Sequence, residues 1–184
     1  MSVTFVELNA SSWDSFEELL RPSNGCDGCW CYNHHIKPGN PDVTGEAARK
    51  AFKHLVTEKK AHGILLFEDS EPAGWCAVDK KAQICGHDCA DPLADPKNST
   101  VWAVHCFYLR EKSRGKGFTQ MLLQKAQELV LQYGGLILEA YPTPPNDSGQ
   151  IFDFCGPYKI FARQGFTESE RVHPGYCRLV KSLS

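Results

Sequence analysis

The chain has no excess of positive charge: its 184 residues hold 20 Lys and Arg against 22 Asp and Glu, a formal net charge of −2. With a pI near 6.4, no global field exists to hold a nucleic acid or an anionic membrane, so any anion site must be local. Long apolar runs are missing as well. The amino-terminal MSVTFVELNASSWD has neither a basic segment nor an apolar core, and ILLF at 64–67 falls far short of the ~20 apolar residues that span a bilayer. Secretion and a membrane partner are therefore not expected, and the implied location is cytoplasmic. Repeats and domain linkers are absent too, which leaves one domain over residues 1–184. The 9 cysteines are an odd number in a chain long enough to bury a core without staples, so they read as reduced thiols.

What is present is a regular alternation of element signals. Residues 4–8 alternate as a short strand, and Ser11 or Ser12 can cap a helix with Trp13, Phe16, Leu19 and Leu20 on one face, ended by Pro22. Residues 23–44 have turn residues at both ends and a Cys/His/aromatic cluster without apolar periodicity, which predicts a long, substrate-facing loop. A second helix, capped by Thr44 or Asp42, carries the stripe Ala48, Ala51, Phe52, Leu55 and Val56. Residues 64–68 and 74–78 predict a hairpin around Asp69-Ser70-Glu71-Pro72, and TVWAVHCFYL at 100–109 a central strand. A helix from Phe118 is stopped by Gly134-Gly135. A strand at 136–140, a short helix at 156–163 and strands near 167–172 and 176–180 complete the chain. The order β-α-α-β-β-β-α-β-α-β-β describes an α+β domain, a central mixed sheet flanked by helices.

The most informative segment is LREKSRGKGFT at 109–119, where a strand passes through a basic Gly turn into an amphipathic helix. Gly115 and Gly117 permit close backbone approach and expose the first helical N–H groups at the positive end of the helix dipole, an arrangement that binds phosphate. Lys112, Arg114 and Lys116 add charge suited to a pyrophosphate. The spacing is neither a Walker loop nor a dinucleotide fingerprint.

These residues resemble the acetyl-CoA motif of the Gcn5-related N-acetyltransferases, [RQ]-x-x-G-x-[GA], read here as Lys112-Ser113-Arg114-Gly115-Lys116-Gly117 with Lys at the first position. Residues 160–166, IFARQGF, are similar to the family's Y-x-x-x-G-F element. The resemblance implies that residues 112–119, including Phe118 and Thr119, bind the pyrophosphate of acetyl-CoA, and that Phe107, Tyr108 and Leu109 border its pantetheine arm where the strand opens. A main-chain N–H there would hold the thioester oxygen. Homodimerisation is compatible with this fold.

Acyl transfer to an amine needs a proton acceptor and is helped by a donor to the leaving thiolate. His105, expected on the face of Phe107 and Leu109, is one candidate base, and Glu139, an acid inside an apolar strand, is its rival. Phe161 stands where the family places its acidic Tyr, leaving Tyr158 or Tyr141 as donors. Trp30, Cys31, Tyr32 and His34 are the expected wall of a pocket for a small primary amine. Cys26-x-x-Cys29-x-Cys31 with His34 and His35, and Cys85-x3-Cys89 with His87, have ligands enough for zinc, but the spacing lacks two paired knuckles, so no metal is assigned. An inactive CoA-binding module and a cysteine-based metal or redox sensor are the competing readings.

Overall fold

The computed structural model describes residues 2–37, 39–84, 100–143, 154–173 and 176–183. Seven strands form one sheet in the order β1-β2-β3-β4-β5-β7-β6. They are β1 (Val3–Glu7), β2 (Gly63–Glu68), β3 (Glu71–Lys80), β4 (Val101–Leu109), β5 (Ile137–Ala140), β6 (Thr167–His173) and β7 (Tyr176–Ser182). Only β4 and β5 run parallel. The helices are α1 (Trp13–Leu20), the single turn α2 (Asn24–Asp27), α3 (Gly45–Thr57), α4 (Phe118–Gln132) and α5 (Tyr158–Arg163).

The sheet has a core on each face. On one, Leu122, Leu123, Ala126 and Val130 of α4 pack with Phe161 of α5 against Val78, Trp102 and Val104. On the other, Trp13, Phe16 and Leu20 of α1 and Phe52 of α3 pack against Leu65, Trp75, Ala77 and Cys106. The predicted stripe of α1 is wholly buried, and in that of α3 Ala48, Phe52 and Val56 are buried while Ala51 and Leu55 are half-buried. The hairpin turn is shorter than expected: Asp69 and Ser70 alone turn with positive φ, as a two-residue loop matching strand twist requires, and Glu71 and Pro72 already belong to β3. Residues 23–44 are not all loop, because the Ser23 hydroxyl accepts from the Cys26 N–H at 3.2 Å and starts α2, while Asn33–His35 form a 3-10 turn.

Two features of β4 shape the cleft and the buried cluster beneath it. The strand pairs with β5 only between Val101↔Ile137 and Val104↔Ala140, so residues 105–109 diverge from β5. Against β3, Ala77 faces Cys106 and Val78 faces Val104, which makes His105 the extra residue of a β-bulge. The bulge breaks the alternation of faces. His105 therefore does not share a side with Phe107 and Leu109, as simple alternation predicts, but meets Asp79, His34 and His35 on the α1/α3 side.

Candidate active site

The Gly turn joins β4 to α4. Gly115 and Gly117 have φ of +74° and +79°, and a Cβ at either would meet nothing within 4 Å. No carbonyl of the described residues accepts from the N–H groups of residues 115–119, which leaves consecutive donors at the start of α4. Lys112, Arg114 and Lys116 are exposed around them. Glu68 restrains the turn, accepting from Ser113 Oγ at 2.8 Å and Lys116 Nζ at 2.5 Å, and the Lys116 ammonium first and the Ser113 hydroxyl second hold its carboxyl below the usual range.

From this turn a cleft of about 520 Å³ runs along the open part of β4, lined by Phe107, Tyr108, Leu109, Arg114, Gly115 and Thr119, and across from them by Cys26, Asp27, Gly156 and Pro157. Of the N–H groups over residues 107–109, one of which was expected to be free, that of Phe107 donates to the main-chain oxygen of Phe154 at 2.6 Å. Tyr158 does not line the cleft; its hydroxyl donates to Glu168 at 3.3 Å. Phe161 is fully buried against Phe107 and Phe166.

Below the cleft, Asp79 of β3 is buried completely and collects histidines. Its Oδ2 accepts from His105 Nε2 at 2.9 Å, and its Oδ1 from the main-chain N–H and Nδ1 of His62 at 2.7 and 2.9 Å. Burial alone would raise its pKa, yet the hydrogen bonds of His105 and His62 and the nearby His35 outweigh that and hold it well below the usual carboxyl range. Because an ionised carboxylate only accepts, His105 donates from Nε2; the neutral ring then has its lone pair on the buried Nδ1, which has no hydrogen-bond partner among the described residues. The His34 ring lies 4.6 Å from that of His105. Burial lowers the pKa of His35, against the pull of Asp79.

Glu139 of β5 anchors a second buried network. Arg178 and Lys81 donate to it, and so does the Tyr141 hydroxyl at 2.6 Å; Lys81 also contacts that hydroxyl. Burial pushes its pKa up, but Arg178, Lys81 and Tyr141 together hold it below the ordinary value. A carboxylate with three such donors is a poor proton acceptor.

The expected acceptor wall divides. Trp30 and Cys31 are buried in the α1/α3 core, whereas Tyr32 and His34 remain half-buried. Cys26, Asp27, Trp30 and Cys31 all take left-handed backbone, with φ from +49° to +60°, so the packing around them holds unfavourable conformations. Cys31 and Cys106 place their sulfurs 3.7 Å apart. Burial and neighbouring thiols push Cys29 up to about 12 and Cys26 higher, which keeps both protonated. Among the described residues, the grouping of three ligand atoms within 4.8 Å is His35, Asp79 and His105, not the cysteines. Cys85, His87 and Cys89 lie outside the described residues. Sequence reasoning missed Asp79, Lys81 and Arg178; the available signal for Asp79 was an acid ending the apolar run AGWCAV.

The family model for the acetyltransferase (GNAT) family matches residues 13–151. No curated protein matches the chain. Among solved structures, an N-acetyltransferase from Staphylococcus aureus Mu50 is similar with TM-score 0.62 and 11% identity over 100% of both chains. The PaiA N-acetyltransferase from Thermoplasma acidophilum, in complex with coenzyme A, gives 0.59 and 14% over 99% of each. YncA, a putative acetyltransferase from Salmonella typhimurium with its cofactor acetyl-CoA, gives 0.61 and 12% over 100% of this chain and 95% of that one.

Proposed function

Since the chain belongs to the acetyltransferase (GNAT) family, we propose that it transfers the acetyl group of acetyl-CoA to a primary amine of a small molecule. The observation that carries this is the run of N–H groups at residues 115–119 without a carbonyl partner among the described residues, opening into the cleft where β4 leaves β5. Those donors and Arg114 suit a pyrophosphate, and the open space at Gly115 and Gly117 admits it. Phe107, Tyr108 and Leu109 then border the pantetheine arm, which reaches the Phe107 N–H by displacing the Phe154 carbonyl.

Attack is direct. The amine nitrogen bonds to the thioester carbon as the carbon–sulfur bond breaks, the amine loses a proton and CoA leaves as thiolate. The thiols of Cys26 and Cys29, held protonated, offer no nucleophile for an acyl-enzyme route. His105 takes the amine proton at Nδ1 through water, with Asp79 as its positioning residue, while Glu139 serves structure. Tyr158 needs no part in the reaction, because a thiol of pKa ~8.5 departs without a strong acid. A second groove, of about 680 Å³, shares Ser23 and Tyr108 with the cleft and gives the acceptor a route past Tyr108.

His105→Gln should cut kcat for amine acetylation by roughly 100-fold. Asp79→Asn should also lower kcat while leaving KM for acetyl-CoA unchanged, because the amide can donate to His105 and favour the wrong tautomer. Wild-type kcat in both folded variants would remove His105 as base. Gly117→Val should weaken acetyl-CoA binding by at least about tenfold in calorimetry, since a branched side chain at φ +79° is strained and fills the phosphate approach. Unchanged affinity in the folded variant would move the cofactor elsewhere. A binding-only module is the second reading, favoured by Phe161 and by the Phe154 carbonyl in the slot; it predicts CoA binding without acetylated product from any amine in a panel analysed by mass spectrometry.

A further inference from the structure

The histidines around Asp79 support a second chemistry, independent of acyl transfer. His35 Nδ1 lies 3.3 Å from the main-chain oxygen of Gln83. A carbonyl only accepts, so Nδ1 bears the proton and directs Nε2 inward. His35 Nε2 faces Asp79 Oδ2 at 3.5 Å and makes no hydrogen bond among the described residues, although the side chain is only 5% exposed. A lone pair aimed at a carboxylate oxygen in a dry site is repulsive, and a shared cation would turn that repulsion into attraction. His105 Nε2 approaches the same oxygen at 2.9 Å from the neighbouring strand, and all three atoms lie within 4.8 Å of one another. Ligand atoms at ~2.1 Å from a tetrahedral ion stand about 3.4 Å apart, and the two imidazole nitrogens stand 3.5 and 2.9 Å from the shared carboxylate oxygen.

We propose that His35, Asp79 and His105 bind a divalent transition metal of the zinc class, through two imidazole nitrogens and one carboxylate oxygen, with water completing the shell. The surrounding contacts are those that orient metal ligands: the Gln83 carbonyl fixes the ring of His35, and His62 fixes the far oxygen of Asp79. The three ligands come from the turn at Asn33–His35, from β3 and from β4, so the ion would tie the loop to the sheet beside the bulge. Imidazole and carboxylate donors suit zinc and cobalt(II) better than calcium or magnesium. Loading takes the Nε2 atom that His105 otherwise protonates for Asp79 and shifts its proton to Nδ1. On the transferase reading, the metal-free form is then the one that acetylates.

Zinc also accepts thiolates, so the test must separate nitrogen and oxygen ligands from the cysteines. Cobalt(II) is titrated into the reduced, chelator-stripped full chain while the visible and near-ultraviolet spectra are followed. The site predicts one equivalent bound with visible tetrahedral cobalt bands and no thiolate-to-cobalt charge transfer. His35→Ala should weaken that binding at least about tenfold, and the double variant Cys26→Ser with Cys29→Ser should keep it. Should His35→Ala fail to fold by circular dichroism, His35→Phe, which keeps a ring without a donor atom, is expected to show the same loss. Absence of cobalt binding, or a charge-transfer band that survives the His35 variant and disappears with the two cysteines, would overturn the site. Failure of the metal-free chain to acetylate any amine, in a protein that binds cobalt this way when loaded, counts against the transferase reading alone.

Discussion

Glu139→Gln is expected to destabilise the protein by about 3–5 kcal/mol, because it removes the buried carboxylate that the buried Lys81 ammonium and the half-buried Arg178 guanidinium both contact. For a chain of this length that is roughly 6–20 °C in Tm. The pH dependence is set by the direction of the shift. Glu139 titrates below its ordinary value of 4.5 in the folded chain, so its contribution is complete above that value and is lost as pH falls through the folded pKa. The stability gap between wild type and variant, read from urea midpoints, should therefore be full at neutral pH and shrink below about 4.5. A folded variant of wild-type stability that had lost acetyl transfer would instead make Glu139 the base.

Trp30→Ala should cost about 3–5 kcal/mol, the range for emptying a large aromatic from a core. Trp30 is 6% exposed among Trp13, Phe16, Phe52 and Trp75. The sequence reading of Trp30 as pocket wall predicts a raised KM for the amine; its burial predicts lost stability. A lower urea midpoint at unchanged slope fits burial. A fully stable variant with a raised amine KM would return Trp30 to the acceptor wall.

Trp30 also marks where the sequence was legible and where it was not. Helical spacing placed Trp13, Phe16, Leu19 and Leu20 on one face of α1, and the G-x-G turn revealed the N-terminus of α4, because both are local patterns. Trp30 and Cys31 lie in an aperiodic segment, so nothing local marks them as core. His105 shows a different limit. Its side of the sheet depends on a bulge set by register with β3, and register is a property of two strands. Asp79 gathers His35, His62 and His105 from sequence separations of 17 to 44 residues, and Glu139 gathers Lys81 and Arg178 from separations of 58 and 39. Only tertiary structure could assemble either network.

A crystal structure with coenzyme A tests the cofactor assignment most directly. The pyrophosphate should lie on the N–H groups of residues 115–119, with the pantetheine arm along Phe107, Tyr108 and Leu109 and the Phe107–Phe154 hydrogen bond broken. Coenzyme A bound away from the turn, or bound there with that hydrogen bond intact and the thiol outside the cleft, would contradict it.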